Sequence, residues 1–225
     1  MGVSVGPKKS LGQHWLKDRD VLAHIADCAE LKKTDTVLEI GPGLGTLTSE
    51  LLRRSQKVVA VEFDKELARK LPAQFPGTHL EVIENDILSF DLSGLPPDYK
   101  VVANVPYYIT SKIVQLLMTA DNKPSTMALL VQKEVAERLA AKAGDMSILA
   151  ISAQIFADVS LGDVVPAALF TPPPKVDSQV IILKTRDTPL TSNVDEKIFF
   201  RVVKAGFSMK RKKLRSSLAG GLGIS

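Results

Sequence analysis

The chain has 225 residues, 45 % of them hydrophobic and 24 % charged, with a formal net charge of +4. This is an ordinary globular balance, long enough for one large α/β domain with an appendage, and its mild charge does not by itself point to nucleic acid. The single cysteine, Cys28, excludes an internal disulfide framework and fits a reducing compartment, and no apolar run reaches the ~20 residues that span a bilayer, so a cytoplasmic location is expected.

Residues 1–17 are polar and glycine-punctuated and read as an arm, with Trp15 and Leu16 its main apolar residues. From Asp18, an N-cap, the residues Val21, Leu22, Ile25, Ala26 and Ala29 recur at helical spacing. Strand-like and helical runs then alternate. Strands are expected at Thr36–Ile40, Val58–Val61, Leu80–Ile83, Lys100–Ala103 and Met127–Val131. Helices are expected at Thr46–Arg54, Lys65–Leu71, Ser111–Met118 and Glu134–Ala143. Such alternation predicts a parallel sheet wound on both faces, over a domain spanning 18–186.

After Asp145 the rhythm changes. A helix at Ser147–Phe156 is followed by strands at Val159–Val165 and Val176–Thr185 with only a proline-rich loop between them. They read as an antiparallel edge hairpin. Seven strands ending in a hairpin differ from a dinucleotide fold and hint at a methyltransferase. Residues 187–225 carry a helical tail with Ile198, Phe199, Val202, Val203 and Phe207 on its apolar face, the start of a small C-terminal helical domain.

Three strand ends describe a nucleoside-shaped crevice. The first is Glu39-Ile40-Gly41-Pro42-Gly43-Leu44-Gly45, where glycines permit a tight turn and close approach of a ligand to backbone. Their spacing is not that of the dinucleotide fingerprint, and a glycine turn alone is also compatible with a structural role. The second ends at Glu62, whose carboxylate can accept both ribose hydroxyls and repels a 2′-phosphate, which disfavours NADP. The third leads into Asp86, an acceptor for an adenine amine or equally the cap of a turn.

The fourth strand runs into Asn104-Val105-Pro106-Tyr107-Tyr108. An adenine's exocyclic nitrogen is a poor nucleophile because its lone pair is delocalised into the ring. Acceptors at the Asn104 side chain and the Pro106 carbonyl favour a localised lone pair, and Tyr107 can stack on the base. A sulfonium methyl donor then needs in-line approach, so catalysis is mostly positioning. No metal is expected: His14, His24 and His79 lack ligand spacing, Cys28 lacks a partner, and no nucleophile elbow occurs.

The chain resembles the ribosomal RNA adenine dimethyltransferase family, related to the erythromycin-resistance rRNA methylases. The likeness rests on residues 10–16, Glu39 to Leu47, Asn104 to Tyr108, Phe170 to Ser178 and Phe207 to Leu214. It implies a Rossmann-like S-adenosylmethionine-dependent methyltransferase fold. It also implies dimethylation of two adjacent adenines near the 3′ end of small-subunit rRNA, on free RNA or an assembling subunit, by a monomer. Carried over residue by residue, cofactor contacts fall on His14, Leu16, Gly41, Glu62, Asp86 and Asn104. Position 14 departs from the asparagine expected there. The resemblance further implies that Phe170 stacks on the base opposite Tyr107, with Tyr108 also at the substrate, and that the C-terminal domain is longer in the family than here.

Basic residues gather at Lys8, Lys9, Lys17 and Arg19, and at Lys210, Arg211, Lys212, Lys213 and Arg215. Beside a base-modifying site, phosphate contacts are expected of Lys210, Arg211 and Lys213, although a charge run is also an ordinary solvated face. Three alternatives stay open: a large-subunit adenine methyltransferase of the resistance type, a non-catalytic RNA-binding relative, and an NAD-dependent oxidoreductase.

Overall fold

The computed structural model describes residues 6–7, 12–209 and 211–224. Lys8, Lys9, Ser10, Leu11 and Lys210 lie outside the described residues. The elements in chain order are β1 (Trp15–Leu16), α1 (Arg19–Cys28), β2 (Thr36–Ile40), α2 (Thr46–Arg54), β3 (Lys57–Glu62), α3 (Lys65–Lys70) and β4 (Leu80–Glu84). They continue as β5 (Lys100–Asn104), α4 (Thr110–Thr119), β6 (Thr126–Gln132), α5 (Lys133–Leu139), α6 (Ile148–Gln154), β7 (Ala157–Val165), β8 (Phe170–Thr171), β9 (Ser178–Thr185), α7 (Glu196–Phe207) and α8 (Leu214–Leu222).

Seven strands form one sheet in the order β4-β3-β2-β5-β6-β9-β7. The first five are parallel, and β9 runs antiparallel to both β6 and β7. The edge hairpin is therefore as expected, with its second strand inserted next to β6. The chain leaves β2 toward β3 and β4, then crosses back to β5 on the other side of β2. Such a reversal opens a crevice beyond the carboxyl ends of the strands.

Period-two alternation in the strands feeds two cores. Val37, Val58, Val102, Ala128, Leu130 and Val180 face Leu22, Ile25 and Ala26 of α1 and Leu47 and Leu51 of α2. Leu38, Val59, Val101, Ala103, Met127, Leu129 and Ile181 face Ile113, Val114, Leu117 and Met118 of α4, with α5 and α6 beside them. A central strand that is apolar at every position is thus a strand buried on both sides.

Boundaries differ from expectation for local reasons. α5 stops at Leu139 because the Gln154 amide donates to the Leu139 and Ala141 carbonyls, which takes up the carbonyls a further turn would use. β9 starts at Ser178 because its partner β6 ends opposite it at Gln132, while Asp177 Oδ1 accepts from the Ala167 N–H. The arm is not featureless: β1 pairs antiparallel with β8, Trp15 opposite Thr171 and Leu16 opposite Phe170. In the tail, Phe199 and Phe200 pack edge to face against the main core, and Ala205 is buried against α8, whose Gly221 a methyl group would force apart. Ile198, Val202 and Phe207, on the tail's apolar face, are exposed.

Candidate active site at the strand ends

A cavity of about 350 Å³ opens at the carboxyl ends of β2, β3, β4 and β5, within the size range of small-ligand sites. On one side the glycine turn after β2 holds Gly41, Gly43 and Gly45 at φ +65°, +58° and +78°. A Cβ at Gly45 would stand 2.6 Å from Leu71 and 2.9 Å from Phe75, so that residue is fixed by space as well as by conformation.

Glu62 closes this turn. Its Oε2 accepts from the Gly43 N–H at 3.0 Å and its Oε1 from the Asp64 N–H at 2.8 Å. Burial pushes the carboxyl pKa up, and these N–H groups oppose the shift. Each oxygen keeps lone-pair capacity for a ligand hydroxyl. Beside it Phe63 is 61 % exposed on the cavity wall, a ring free to cover a flat heterocycle. Sequence reasoning missed Phe63, although an aromatic immediately after a strand-end carboxylate was a readable signal. Asp86 plays the capping role weighed for it: its Oδ1 accepts from the Leu88 N–H at 3.0 Å, and the residue also lines the cavity.

Glu39 was read only as part of the glycine motif. It lines the cavity floor, is wholly buried, and neither carboxyl oxygen finds a hydrogen-bond donor among the described residues. Thr48 faces it without reaching hydrogen-bond geometry. Burial pushes its pKa to about 8, with the Glu62 charge adding to the rise. An orphaned carboxyl in a cavity wall suits a cationic ligand group.

The other side of the cavity is assembled from distant segments. Asn104 ends β5, and its Nδ2 donates to the His14 carbonyl at 3.2 Å. A carbonyl only accepts, so the amide nitrogen faces the arm and Oδ1 faces away from it. The Tyr107 hydroxyl and Ser178 Oγ are 2.6 Å apart, and burial raises the phenol pKa. Its ring lies 5.7 Å from that of His14 at an 18° tilt. His14 Nδ1 is 2.7 Å from the Pro172 carbonyl, and Leu16, its side chain in the core, is tied by its carbonyl to the Thr46 hydroxyl at 3.0 Å.

Two expectations need correcting here. The Pro106 carbonyl is engaged in the turn into α4, accepting from the Ile109 N–H at 3.2 Å and the Thr110 hydroxyl at 3.4 Å. The neighbouring Val105 carbonyl accepts no hydrogen bond from the described residues, and Val105 also lines the cavity. The turn's hydrogen bonding, invisible in sequence, decides which of the two is available. Phe170 is 3 % exposed, pairs with Leu16 across the β1–β8 ladder and does not line the cavity. In this conformation it is a core residue.

Tyr108 is 63 % exposed at the cavity mouth, against Gly12, and Lys112 stands beside it one turn into α4. Arg211 and Lys213 are exposed just before α8. No helix of the described residues is long and apolar enough to cross a membrane.

A doubly wound sheet with an antiparallel edge hairpin, a glycine turn and a strand-end carboxylate is the fold and cofactor crevice of S-adenosylmethionine-dependent methyltransferases. The residues fit that cofactor: Glu62 for the ribose, Phe63 and Asp86 for the adenine, and an unpartnered carboxyl for an ammonium. The comparisons agree. The family model described as Ribosomal RNA adenine dimethylase matches residues 6–223, and the chain belongs to that family. Ribosomal RNA small subunit methyltransferase A of Dehalococcoides mccartyi (strain CBDB1) is 44 % identical over 228 residues, covering 100 % of this chain and 78 % of that protein. The protein of the same name from Halothermothrix orenii is 40 % identical, over 93 % of this chain and 73 % of its own length. Among solved structures, a dimethyladenosine transferase from Plasmodium falciparum superposes with a TM-score of 0.79 at 32 % identity, over 91 % of this chain and 74 % of the other. The 23S rRNA methyltransferase ErmE gives 0.78 at 32 % identity, over 92 % of this chain and 84 % of the other.

Proposed function

We propose that this protein dimethylates N(6) of two adjacent adenosines near the 3′ end of small-subunit rRNA, using S-adenosylmethionine. The observation that carries the chemistry is the placement of Asn104 at the cavity wall, its amide turned by the His14 carbonyl so that Oδ1 is the group left to accept. The choice of small-subunit RNA rests on relatives named for that subunit at up to 44 % identity.

When bound, the cofactor supplies an electrophilic methyl group on a sulfonium. The chain's part is positional. Glu62 orients the ribose, Phe63 and Asp86 the adenine, and Glu39 the ammonium. Gly41, Leu16 and the His14 main chain border the amino-acid end. On the acceptor side, Asn104 Oδ1 and the Val105 carbonyl take the two N(6) hydrogens and localise the lone pair, with Pro106 stiffening the turn. Tyr107 offers a ring face to the base, held by Ser178. Phe170 reaches the base's other face only after β1 and β8 shift. Tyr108, Lys112, Arg211 and Lys213 meet the RNA outside the cavity, with Lys210 adjoining them in sequence. A monomer acting in the cytoplasm is part of the same reading, and 187–225 is its start of a helical RNA-binding domain.

Incubation with labelled S-adenosylmethionine and separated, under-methylated ribosomal subunits tests this. Label is expected on two adjacent adenosines of the small subunit. Label confined to the large subunit defeats the substrate assignment, and no label on either favours a non-catalytic RNA binder. Neutralising Arg211 and Lys213 should lower the salt slope of RNA binding by roughly one unit per charge, with cofactor affinity unchanged.

A further inference from the structure

Transfer of a methyl group to N(6) forms a nitrogen–carbon bond and breaks the carbon–sulfur bond, whose electron pair stays on sulfur. N(6) would be left with one proton too many and a positive charge unless that proton departs as the methyl arrives. That proton must leave before the amine can act again, and in dimethylation it must leave twice. The cavity is bordered by the arm and the turn into α4 and is open at Tyr108, so a side-chain base there competes with water for that proton.

The titratable residues lining the cavity are His14, Glu39, Glu62, Asp86, Tyr107, Tyr108 and Lys112. Most are unsuited to accept this proton. Glu39 lies on the floor under the glycine turn, and it is either protonated or paired with a ligand cation. Glu62 is held by two backbone N–H groups at the ribose end. Asp86 caps the turn after β4, on the adenine side of the cofactor crevice. Tyrosine hydroxyls and a lysine ammonium are donors at neutral pH.

His14 is different. The Pro172 carbonyl, 2.7 Å from Nδ1, can only accept, so Nδ1 carries the hydrogen of the neutral ring. The lone pair is therefore on Nε2. The ring lies beside Tyr107, and the residue's own carbonyl holds Asn104. His14 thus belongs by its side chain to the acceptor side, although its main chain borders the cofactor crevice.

We infer that His14 Nε2 is the group that takes the proton from N(6), giving a neutral secondary and then tertiary amine and an imidazolium that returns its proton to solvent. The inference rests on the adenine N(6) reading. The titratable and charged groups on the surrounding elements are Tyr107 after β5, Asp64 at the start of α3, joined to the arm through Gln13, and Lys175 and Asp177 in the loop before β9, the latter turned to the Ala167 N–H. Asp64 is itself the N-cap of α3, accepting from the Glu66 N–H.

Two measurements test it. Nitrogen-15 spectra of histidine-labelled protein, without cofactor or RNA, should show His14 in the Nδ1–H tautomer. The Nε2–H tautomer overturns the inference. In single-turnover transfer at saturating cofactor, the wild-type rate should fall toward acid pH, whereas His14→Gln should be slower by roughly a hundredfold and flat there. His14→Ala should regain rate with added imidazole, a recovery that a purely structural loss would not show. A variant rate near wild type, a retained acid limb, or no rescue in a folded variant overturns the assignment. Absence of any transfer by wild-type protein whose His14 is the Nδ1–H form instead defeats the adenine reading, and the proton's source with it.

Discussion

The two sides of the cavity are built differently. On the cofactor side, each functional group sits at the end of its own strand and is fixed over short separations: Glu62 by Asp64 two residues on and by Gly43 19 residues back, Asp86 by Leu88 two residues on. On the acceptor side the fixing contacts join residues 71, 90 and 158 positions apart, Tyr107 with Ser178, Asn104 with His14, and His14 with Pro172. Local hydrogen bonds make a rigid, self-contained crevice. Long-range ones make a site that exists only when the whole domain has closed, and whose parts fail together.

The contrast yields predictions of decreasing size. Asn104→Ala removes the acceptor oxygen and its tie to the arm, and should slow single-turnover transfer by about 10²–10³-fold, comparable to loss of one preorganised transition-state contact. The melting midpoint should move by only a few degrees; transfer within threefold of wild type would remove Asn104 from the chemistry. Glu39→Gln probes the floor shared by both sides. With its folded pKa raised to about 8, the native state holds a proton that the unfolded chain has already lost above its ordinary carboxylate range. Stability should therefore fall as pH rises, by about 1.4 kcal/mol per unit from this group, up to about pH 8 and level off beyond it. The glutamine variant should lack that contribution and gain relative stability at neutral pH, read from denaturant unfolding at several pH values. Equal slopes in both proteins would show that Glu39 is not a buried neutral acid.

Glu62→Gln sets an amide N–H against a backbone N–H and removes the ribose acceptor. Calorimetry should show cofactor affinity down roughly tenfold or more, with the transfer rate at saturating cofactor much less altered. A comparable fall in both quantities would erase the distinction between the two sides. Tyr107→Phe is the mildest. The ring stays while the bond to Ser178 goes, so stability should drop by about 1 kcal/mol and transfer should change little. A large loss of transfer would give the phenol a role beyond anchoring.

Legibility in the sequence follows the same division. The glycine turn, Glu62 and the strand ends could be read because period-two strands and strand-end motifs are local signals. Even the edge hairpin showed itself through the missing helix between its strands. Phe170 reads as core on its own and is moved to the substrate only by the resemblance; what nothing in the arm's composition announces is the two-residue ladder with Leu16 that buries it. Pro106 was assigned the wrong carbonyl for a related reason: which oxygen a turn consumes is settled by the helix that follows it. On α7 the helical spacing finds Phe199, which meets the core, but not Phe200, which meets it too, and Ile198 of the same apolar face is exposed.

The ladder between β1 and β8 also sets an order of events during synthesis. The arm is translated before the rest of this domain, yet His14 finds its partner Pro172 only 158 residues later. At about 5–20 residues per second, that delay is on the order of 8–30 s. In its later part, once β2, β3 and β4 have been made, the crevice strands exist while the acceptor wall does not. A nascent chain therefore passes through a stage that has its cofactor-binding strands but no finished seat for a base, and it becomes competent to modify RNA only as the last strand of the sheet emerges.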